Sequence, residues 1–590
     1  MIKIQSANHF AALAYGLKPI RQQKARAFQN GGDRVNTFPF GLGELRISWK
    51  NHQIDASFTP SAEFFLREIS FGFNFHSSRP SSETVIWNES YSDVFPMKPN
   101  HPIPSSLSTK PVKDGAWALW ISDSPDAEGI LFSQHPPASI PIHFIAHPGK
   151  RELRMKWTLN RIVPEGETII LPAIKISSGA LERETRVWRK KWPSLSRREP
   201  LTDRRVVWCA GRELKSPKVL REMLGVLKPI KPHFDWFAVG PQYATAAGDW
   251  LIPSSPFKDH MGSLSRSINE FNMGPALRLA PFLVSPKSAM ATENRDWLVR
   301  SNNGFPVSVP GYAGDRGPAY VLDITHSAVV SHIRHMFAVM RDRWGFRSFI
   351  IERITDSAIA GNRRDGLWEI GRLLEKAAMT IRNSVGDRVM LSASDLPLLT
   401  TPGIWDSQSV MPISDLFPGD SFHHQKSMNA ASAMLHRSRW KDSGLVLCSG
   451  LLPIQLFGSG RGTAAQSMLN AAALTAGMTM LSGDPRTIDE ETVRVLENFL
   501  SLSEECRKGR LNILPNLNSG RDAPLVVRND RGWLALFNFS ENKRSVSLDR
   551  AGMKSELGIH SSLSTGDGSV YNSPRIDVTL PPYGCRLFRA

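Results

Sequence analysis

The 590-residue sequence has few cysteines and no long apolar run, and both features narrow the class of protein. Its four cysteines are far apart and form no CxxC pair, so we expect neither a disulfide framework nor a zinc site, and reduced thiols favour a cytoplasmic protein. No apolar run approaches the roughly 20 residues that a membrane helix needs, so no membrane partner is expected. The N-terminal stretch lacks a basic start and a small-residue cleavage pattern, and we do not expect a signal peptide there.

The chain carries a formal net charge of +17, from 72 Lys and Arg against 55 Asp and Glu. Such a balance is compatible with nucleic-acid binding, but the basic residues are spread along the chain rather than gathered in one arm. An anionic substrate explains the same balance. We therefore expect no nucleic-acid partner, and the charge alone does not decide the function.

The pattern of apolar residues changes twice along the chain, which divides it into three predicted domains. Residues 1–204 alternate short apolar runs with Gly, Pro, Ser and Asn, which is typical of an antiparallel β-sandwich, and end in a linking helix. Residues 205–510 alternate buried strands with amphipathic helices and predict a (β/α)8 TIM barrel. Residues 511–590 return to β character and predict a small C-terminal β-sandwich. The eight barrel strand candidates are FDWFAVG, ALRLAPFLV, AYVLDI, FRSFII, RVMLSAS, GIWDS, GLVLCSG and GMTMLSGD.

Carboxylates stand at the predicted carboxyl ends of several barrel strands, where the active-site residues of TIM barrels lie. They are Asp323, Glu352, Asp395, Asp406 and Asp484. Facing carboxylates suit glycoside hydrolysis, in which one attacks or stabilises the anomeric carbon and the other protonates the leaving oxygen. The tryptophans at 236, 250, 297 and 405 are suited to stacking on sugar faces, and each is equally reasonable as a core aromatic.

Several phrases of the predicted barrel carry a resemblance to a known family. They are LAPFLVSP followed by DWLV, then YVLDITHSAVVSHI, IIERITDSAIAGNRRDG and AGMTMLSGDPRTIDEETVRVLENFL. These phrases resemble the melibiase (α-galactosidase, family 36) glycosidases of clan D, and the order of sandwich, barrel and sandwich is similar too. The resemblance covers most of the chain. It implies a multidomain α/β fold around a TIM barrel and a retaining α-glycosidase activity.

The resemblance also assigns catalytic positions. The family's nucleophile is the aspartate of a KxD motif, and here Glu352 stands at that position with Ile350 in place of the lysine. The family's acid/base aspartate falls in the phrase WDSQSVMPISD, where Gln408 takes its place. Asp406 and Asp415 are the carboxylates close enough in sequence to substitute for it.

The substrate contacts implied by the resemblance differ from the family's. Gly240 and Pro241 stand where the family keeps paired aspartates that bind sugar hydroxyls, so we expect a substrate other than plain galactose. Arg353 beside Glu352 would suit an anionic sugar. The expected partner is thus a carbohydrate, neutral or anionic, and we expect no cofactor and no metal. The expected substrate-binding residues are Trp236, Asp249, Trp250, Asp323, Arg353, Asp395 and Gln408.

Two hypotheses of function stay open at this point. The first is a retaining α-glycosidase, and the second is a catalytically inactive carbohydrate-binding protein on the same fold. The distance from Glu352 to Asp406 or Asp415 discriminates between them, because a retaining pair of carboxyls lies about 5–5.5 Å apart and an inverting pair about 6.5–9.5 Å apart. The sequence does not decide the oligomeric state, and it allows a homo-oligomer.

Overall fold

The structure of the chain is a computed structural model with side chains. It describes residues 3–14, 20–21, 34–40, 43–76, 84–89, 106–108, 112–123, 127–136, 138–140, 142–190, 205–312, 317–366, 368–394, 396, 400–409, 424–438, 440, 446–458, 462–475, 477–514, 525–549, 563–564, 570–571 and 575–589. Within these ranges, no helix is long and apolar enough to cross a membrane.

The N-terminal part is a sandwich of two antiparallel sheets, as predicted. One sheet has the strand order β2-β1-β6-β13-β12-β9 and the other the order β3-β4-β5-β14-β11-β10-β7-β8. Alternate residues of the strands turn inwards, and the buried Phe71 and Trp157 of the first sheet share a core with Phe58 and Phe132 of the second. The strands are β1 Lys3–Ala14, β2 Ile20–Arg21, β3 Arg34–Phe40, β4 Gly43–Lys50, β5 Gln53–Pro60, β6 Phe64–His76, β7 Val85–Glu89, β8 Ser106–Ser108, β9 Val112–Ala116, β10 Ala118–Ser122, β11 Gly129–Gln134, β12 Ile142–His147, β13 Glu152–Val163 and β14 Ile169–Gly179.

The middle part is a closed barrel of eight parallel strands. The strands of this part are β15 Val206–Cys209, β16 Trp236–Val239, β17 Gly274–Leu279, β18 Leu283–Val284, β19 Ser308–Pro310, β20 Pro318–Val321, β21 Ser348–Ile351, β22 Met390–Ala393, β23 Ser407–Ser409, β24 Val446–Pro453 and β25 Met478–Ser482. The barrel closes in the order β15-β16-β17-β21-β22-β23-β24-β25, and β18, β20 and β19 form a separate antiparallel sheet. The TIM barrel fold is therefore confirmed.

Most of the described helices cover the outside of the barrel, whereas helix Leu181–Lys190 packs against β11 and β14 of the sandwich. The helix ends follow ordinary capping chemistry. Ser216 accepts a hydrogen bond from Val219 N at the start of α2, with Pro217 in the first turn. Asp489 caps α9 in the same way through Thr492 N, at 2.8 Å. The helices are α1 Leu181–Lys190, α2 Pro217–Leu227, α3 Met261–Glu270, α4 Ala289–Glu293, α5 Ser327–Ala338, α6 Ile370–Val385, α7 His424–Arg437, α8 Thr463–Thr475 and α9 Glu490–Arg507.

Two of the strand predictions were wrong. The phrase AYVLDI contains β20, which pairs antiparallel with β18 and β19 outside the barrel, and the barrel is closed instead by β15. The phrase GIWDS overlaps β23 only at Ser407, so the sixth strand begins where the predicted one ends. The second error arises because the buried Ile404 and Trp405 precede β23 rather than belong to it. The first arises because a short apolar run is equally compatible with a barrel strand and with a strand inserted between two barrel strands. As a result Gly240 and Pro241 follow the second barrel strand, whereas Glu352 still follows the fourth.

The inside of the barrel is lined by alternate residues of each strand. Cys209, Ala276, Ile350 and Cys448 belong to one cluster of buried apolar side chains contributed by the barrel strands. Because Ala276 faces inwards, Arg278 two residues further along β17 faces inwards as well. The same alternation directs Glu352, two residues after Ile350, to the barrel interior at its carboxyl end.

The C-terminal part is a small sandwich. A six-stranded sheet, in the order β26-β27-β28-β33-β30-β31, packs against the pair β29-β32. Leu534 and Leu536 of the larger sheet share a core with Val546 and Ile576 of the smaller one. The strands are β26 Leu511–Leu514, β27 Leu525–Asn529, β28 Trp533–Phe537, β29 Arg544–Asp549, β30 Leu563–Ser564, β31 Val570–Tyr571, β32 Arg575–Leu580 and β33 Cys585–Arg589.

Candidate active site

Glu352 lies at the carboxyl end of the fourth barrel strand, and both oxygens of its carboxylate are held by side chains. Its backbone N–H donates to Leu279 O at 2.9 Å, so the residue continues the register of β21 against β17. Arg278 donates to Oε1 from Nη2 at 3.0 Å and from Nε at 3.3 Å. The Tyr312 hydroxyl donates to Oε2. The carboxylate therefore has one fixed orientation, and Glu352 is only 7% exposed.

Arg278 is the charged partner of this site. Burial is the largest influence on this guanidinium and lowers its pKa, but Glu352, Cys209 and Tyr312 together raise the pKa by more, so the net shift is upwards. Arg278 is consequently a permanent cation inside the barrel. Its side chain is 12% exposed and that of Glu352 is 8% exposed, so the two charges form a largely buried ion pair.

The barrel lining also contains two buried thiols, Cys209 and Cys448. Burial raises the pKa of Cys209 to about 12, with the charge of Arg278 opposing the shift. Burial likewise raises the pKa of Cys448 to about 11. Because the thiolate and not the thiol is the reactive form of cysteine, the raised pKa disfavours nucleophilic chemistry at either residue near neutral pH.

Arg353 lies beside Glu352, but its guanidinium is used to anchor a loop. The residue has the left-handed backbone conformation, with φ of 56°, which is uncommon for a residue with a side chain and clusters at functional sites. Its Nε donates to Asp356 Oδ2 at 2.6 Å and its Nη1 to Pro310 O at 3.3 Å. Since Tyr312 is bonded to Glu352, two adjacent residues hold segment 310–312 over the barrel.

Trp250 supports the same segment. Its ring lies 6.1 Å from the ring of Tyr312 in an edge-on arrangement, and it is almost fully buried. Asp249, predicted to contact substrate with it, accepts hydrogen bonds from Ala289 N at 3.0 Å and Met290 N at 3.1 Å. Asp249 therefore fixes the start of α4, and its carboxylate is already committed.

The carboxylate of Asp323 is also fully hydrogen-bonded within the protein. It accepts from Thr325 N at 3.0 Å, from Thr325 Oγ1 at 2.8 Å and from Arg364 N at 2.7 Å. A further contact, at 3.3 Å, comes from Arg363 Nη1. Burial lowers the pKa of Arg363, and Asp323 opposes that shift. Asp323 thus ties the end of β20 to the loop that begins at Glu352.

Asp406 lies towards the opposite end of the barrel from Glu352. It precedes β23, and its Oδ2 accepts from Arg382 Nη2 and from Leu391 N, each at 2.7 Å. Asp406 is level with Leu391, whereas Ser394, three residues further along, pairs beside Glu352. Three residues of strand amount to roughly 10 Å, and Arg382 belongs to α6 outside the barrel. The structure does not bring Asp406 to Glu352, so the predicted acid/base pairing of these two residues is not present.

Trp236 and Gln408, two further predicted substrate contacts, do not lie at the carboxyl end of the barrel interior. Trp236 stands at the amino end of β16 and packs in the barrel lining, far below the carboxyl end. Gln408 lies between Ala393 and Leu447 in the sheet register, and those two side chains face the helices. Gln408 consequently faces the helix layer rather than the barrel interior. Asp395 and Asp415 lie outside the described residues.

The two side chains that hold Glu352, Arg278 and Tyr312, were not among the predicted site residues. Arg278 gave a usable signal, because a single charge inside the apolar phrase ALRLAPFLV must find a buried partner. Tyr312 gave no such signal, since it lies in the long segment between β17 and β21, and only the fold brings it to Glu352.

Comparisons with known proteins confirm the fold. No family model matches the chain. Among solved structures, TtGalA, an α-galactosidase from Thermus thermophilus in complex with p-nitrophenyl α-D-galactopyranoside, is similar with a TM-score of 0.58 and 17% identity, over 84% of this chain and 98% of that one. A GH36 α-galactosidase AgaA variant from Geobacillus stearothermophilus, in complex with 1-deoxygalactonojirimycin, has a TM-score of 0.60 and 9% identity, over 100% and 87% of the two chains.

The galactosidase domain of the α-galactosidase-sucrose kinase AgaSK is similar as well, with a TM-score of 0.58 and 10% identity over 100% of this chain and 85% of that one. The chain therefore has the fold of GH36 α-galactosidases, with the barrel and both flanking sandwiches. At these identities the likeness concerns the fold, and the activity has to be argued from the site itself.

Proposed function

We propose that the chain hydrolyses an α-glycosidic bond with retention of configuration and that Glu352 is the nucleophile. The observation that carries this proposal is the way in which the described candidate carboxylates are held. Asp249, Asp323 and Asp406 all accept hydrogen bonds from backbone N–H groups that they fix in place. Glu352 alone among these four accepts only from side chains, Arg278 and Tyr312, and it stands at the functional end of the barrel.

The contacts of Glu352 suggest which oxygen attacks. Oε1 is held by the guanidinium through two N–H groups, and charge-assisted bonds of this kind are the stronger ones. Oε2 is held by a single neutral hydroxyl, that of Tyr312, so its hydrogen bond is the weaker of the two contacts. Oε2 would attack the anomeric carbon, and the glycosidic bond would break as the leaving oxygen receives a proton from the acid/base residue. Water would then hydrolyse the glycosyl ester and return the carboxylate.

We propose Asp415 as the acid/base residue. Asp406 is ion-paired with Arg382 at 2.7 Å and stands towards the other end of the barrel, which leaves Asp415 as the remaining candidate from the phrase that resembles the family's acid/base element. In Asp415→Asn, substrates with poor leaving groups would lose far more activity than 2,4-dinitrophenyl glycosides, because only the former need a proton on the departing oxygen. Equal losses for both kinds of leaving group would remove Asp415 from this role.

The charge balance of the site favours an acidic sugar. When Glu352 becomes an ester it loses its negative charge, and Arg278 is left as a largely buried cation without a carboxylate. A carboxylate or sulfonate on the substrate would restore the balance. The fully buried Ile350, together with Gly240 and Pro241, supplies no side-chain hydrogen bond to a neutral galactose. We therefore propose a uronic or sulfonated α-glycoside as the substrate class.

A panel of aryl α-glycosides tests the proposal. The panel contains neutral, uronic and sulfonated sugars with one aglycone, and the proteins are wild type, Glu352→Gln and Asp365→Asn. Asp365 is the matched control, because it is exposed and lies on the same loop. Glu352→Gln should lower kcat/KM for the acidic glycosides by about 10³-fold or more, and Asp365→Asn should leave it unchanged. Hydrolysis that survives in Glu352→Gln would exclude this residue as the nucleophile.

A catalytically inactive carbohydrate-binding protein is the second candidate, and one observation favours it. Both oxygens of Glu352 are occupied by Arg278 and Tyr312, and the carboxylates of Asp249, Asp323 and Asp406 are each hydrogen-bonded elsewhere. If the protein only binds carbohydrate, wild type should bind an acidic glycan saturably and should release no aglycone from any member of the panel.

A further inference from the structure

A pocket of about 350 Å³ lies between the N-terminal sandwich and the loop that begins at Glu352. This volume is at the lower end of the range for small-molecule sites, roughly 300–1,000 Å³. The sandwich contributes Phe65, Arg161 and Ile162 to its wall. The barrel contributes the loop segment from Ala358 to Trp368 and the start of α6. Such junctions between domains are common positions for ligand sites.

Arg161 brings a largely buried guanidinium to the wall of this pocket. Its side chain is 11% exposed, and its Nε is buried without a hydrogen-bond partner among the described residues. Its ion-pair contact with Glu167, which is half exposed, measures 3.7 Å at Nη2 and is too long for a hydrogen bond. A buried guanidinium N–H without an acceptor is costly, and the acceptors that match its planar fork best are oxyanions.

The local backbone explains why Arg161 is directed here. The register of β13 against β6 shifts between Thr158 and Arg161, which places one extra residue on β13. Bulges of this kind redirect a side chain and are often found beside functional sites. Arg363 contributes a second, almost fully buried guanidinium from the opposite wall. No aspartate or glutamate is among the described residues that line the pocket, although Arg363 is paired with Asp323 behind the wall.

The remainder of the wall is apolar. Phe65 and Ile162 face each other across the β6–β13 pair, and Ile162 is 40% exposed although it is a large aliphatic residue. Trp368 adds an indole ring whose N–H is already bonded to Asp365 O at 2.8 Å. The indole therefore offers the pocket its apolar surface rather than a donor.

We propose that this pocket is a second ligand site, which binds a small organic carboxylate with an apolar body. The carboxylate pairs with the guanidinium of Arg161, whose contact with Glu167 is too long for a hydrogen bond, and Arg363 lies in the same wall. The apolar body lies against Phe65, Ile162 and Trp368. Such a ligand touches the sandwich and the barrel at once, so its binding also raises the melting temperature of the whole chain.

Isothermal titration of the full-length chain with phenylacetate tests the proposal, and phenylacetamide is the matched neutral probe. We expect saturable binding of phenylacetate, and binding at least about tenfold weaker for phenylacetamide because it lacks the charge-assisted bond. Arg161→Gln should weaken phenylacetate binding by a similar factor. Arg154→Gln, on the same strand but outside the pocket, should not. Glu352→Gln should bind phenylacetate like wild type, which separates this site from the barrel mouth.

A second pair of variants keeps the test valid if Arg161→Gln does not fold. Ile162→Glu places a negative charge at the partly exposed wall of the pocket and should abolish phenylacetate binding. Ile170→Glu adds the same charge at an 80% exposed position of β14 outside the pocket and should leave binding unchanged. Absence of saturable phenylacetate binding by wild type, equal binding of the amide, or loss of binding in Glu352→Gln would each overturn the proposal.

Discussion

The buried ion pair of Arg278 and Glu352 leads to a quantitative prediction. Arg278→Met removes the cation and keeps most of the aliphatic stem, so the Glu352 carboxylate stays buried with only the Tyr312 hydroxyl. Removing one partner of a buried pair typically costs about 3–5 kcal/mol, because the remaining charge is uncompensated. Glu352→Gln leaves the opposite charge uncompensated and should be destabilising for the same reason. The double variant carries neither charge, so its loss of stability should be at least about 2 kcal/mol smaller than the sum of the two single losses.

Differential scanning calorimetry of the four proteins measures this double-mutant cycle. Each kcal/mol lowers the melting temperature of a domain of 150–250 residues by about 2–4 °C, so each single variant should melt at least about 5 °C below wild type. Glu222→Gln, in the solvent-exposed pair of Glu222 and Arg486, serves as the control and should shift the melting temperature little, because solvent screens such pairs. Additive effects of the two single substitutions would refute the description of Arg278 and Glu352 as one coupled buried pair.

Three further predictions concern other residues. Asp406→Asn should lower stability by about 3 kcal/mol through the loss of a buried ion pair and should leave kcat/KM of the folded protein unchanged; a selective loss of kcat would return Asp406 to the chemistry. Burial raises the pKa of Asp356, although Arg353 opposes the shift. The folded state therefore binds a proton at Asp356 more readily than the unfolded state does. The stability that this proton contributes is lost as pH rises from about 3.8 through the raised pKa. The melting temperature of Asp356→Asn relative to wild type should therefore increase over that interval, and a constant difference would contradict the shift. Cys209 and Cys448 should not react with a disulfide reagent at pH 8 in the native protein and should react fully in denaturant, whereas fast labelling of the native protein would show that they are accessible.

The domain pattern was predictable from the sequence because it depends on local periodicity. Strands of the sandwich such as QIDASFTP alternate buried and less buried residues in the structure, as their sequence does. The fourth barrel strand was located correctly, since the four buried residues Ser348–Ile351 are followed at once by Glu352. The position of Glu352 at the end of a barrel strand could therefore be predicted from the sequence.

The roles of the other carboxylates could not be predicted, because they depend on contacts between distant segments. Asp406 follows a predicted strand in the sequence, but the sixth strand begins after it and Arg382 holds it against α6. Asp323 and Arg363 are 40 residues apart and meet only through the fold. A residue type at a strand end thus indicates a site, whereas its hydrogen-bond partners decide whether its carboxylate is free to act.

The burial of Arg161 could not be predicted from the sequence either. In the sequence Arg161 is one of many scattered basic residues, which are most simply solvated. Its burial results from the bulge in β13 and from the packing of the sandwich against the loop after Glu352. Only these two tertiary features turn an ordinary surface cation into a candidate binding group.

Covalent trapping tests the central claim most directly. Wild type is incubated with an activated 5-fluoro α-glycoside of the acidic sugar class, digested with a protease, and analysed by tandem mass spectrometry. The fluorine slows both steps, but the good leaving group keeps the first step fast enough for the glycosyl ester to accumulate. We predict a single added glycosyl group on Glu352. A label on any other residue, or turnover of the parent glycoside without any label on Glu352, would contradict its assignment as the nucleophile.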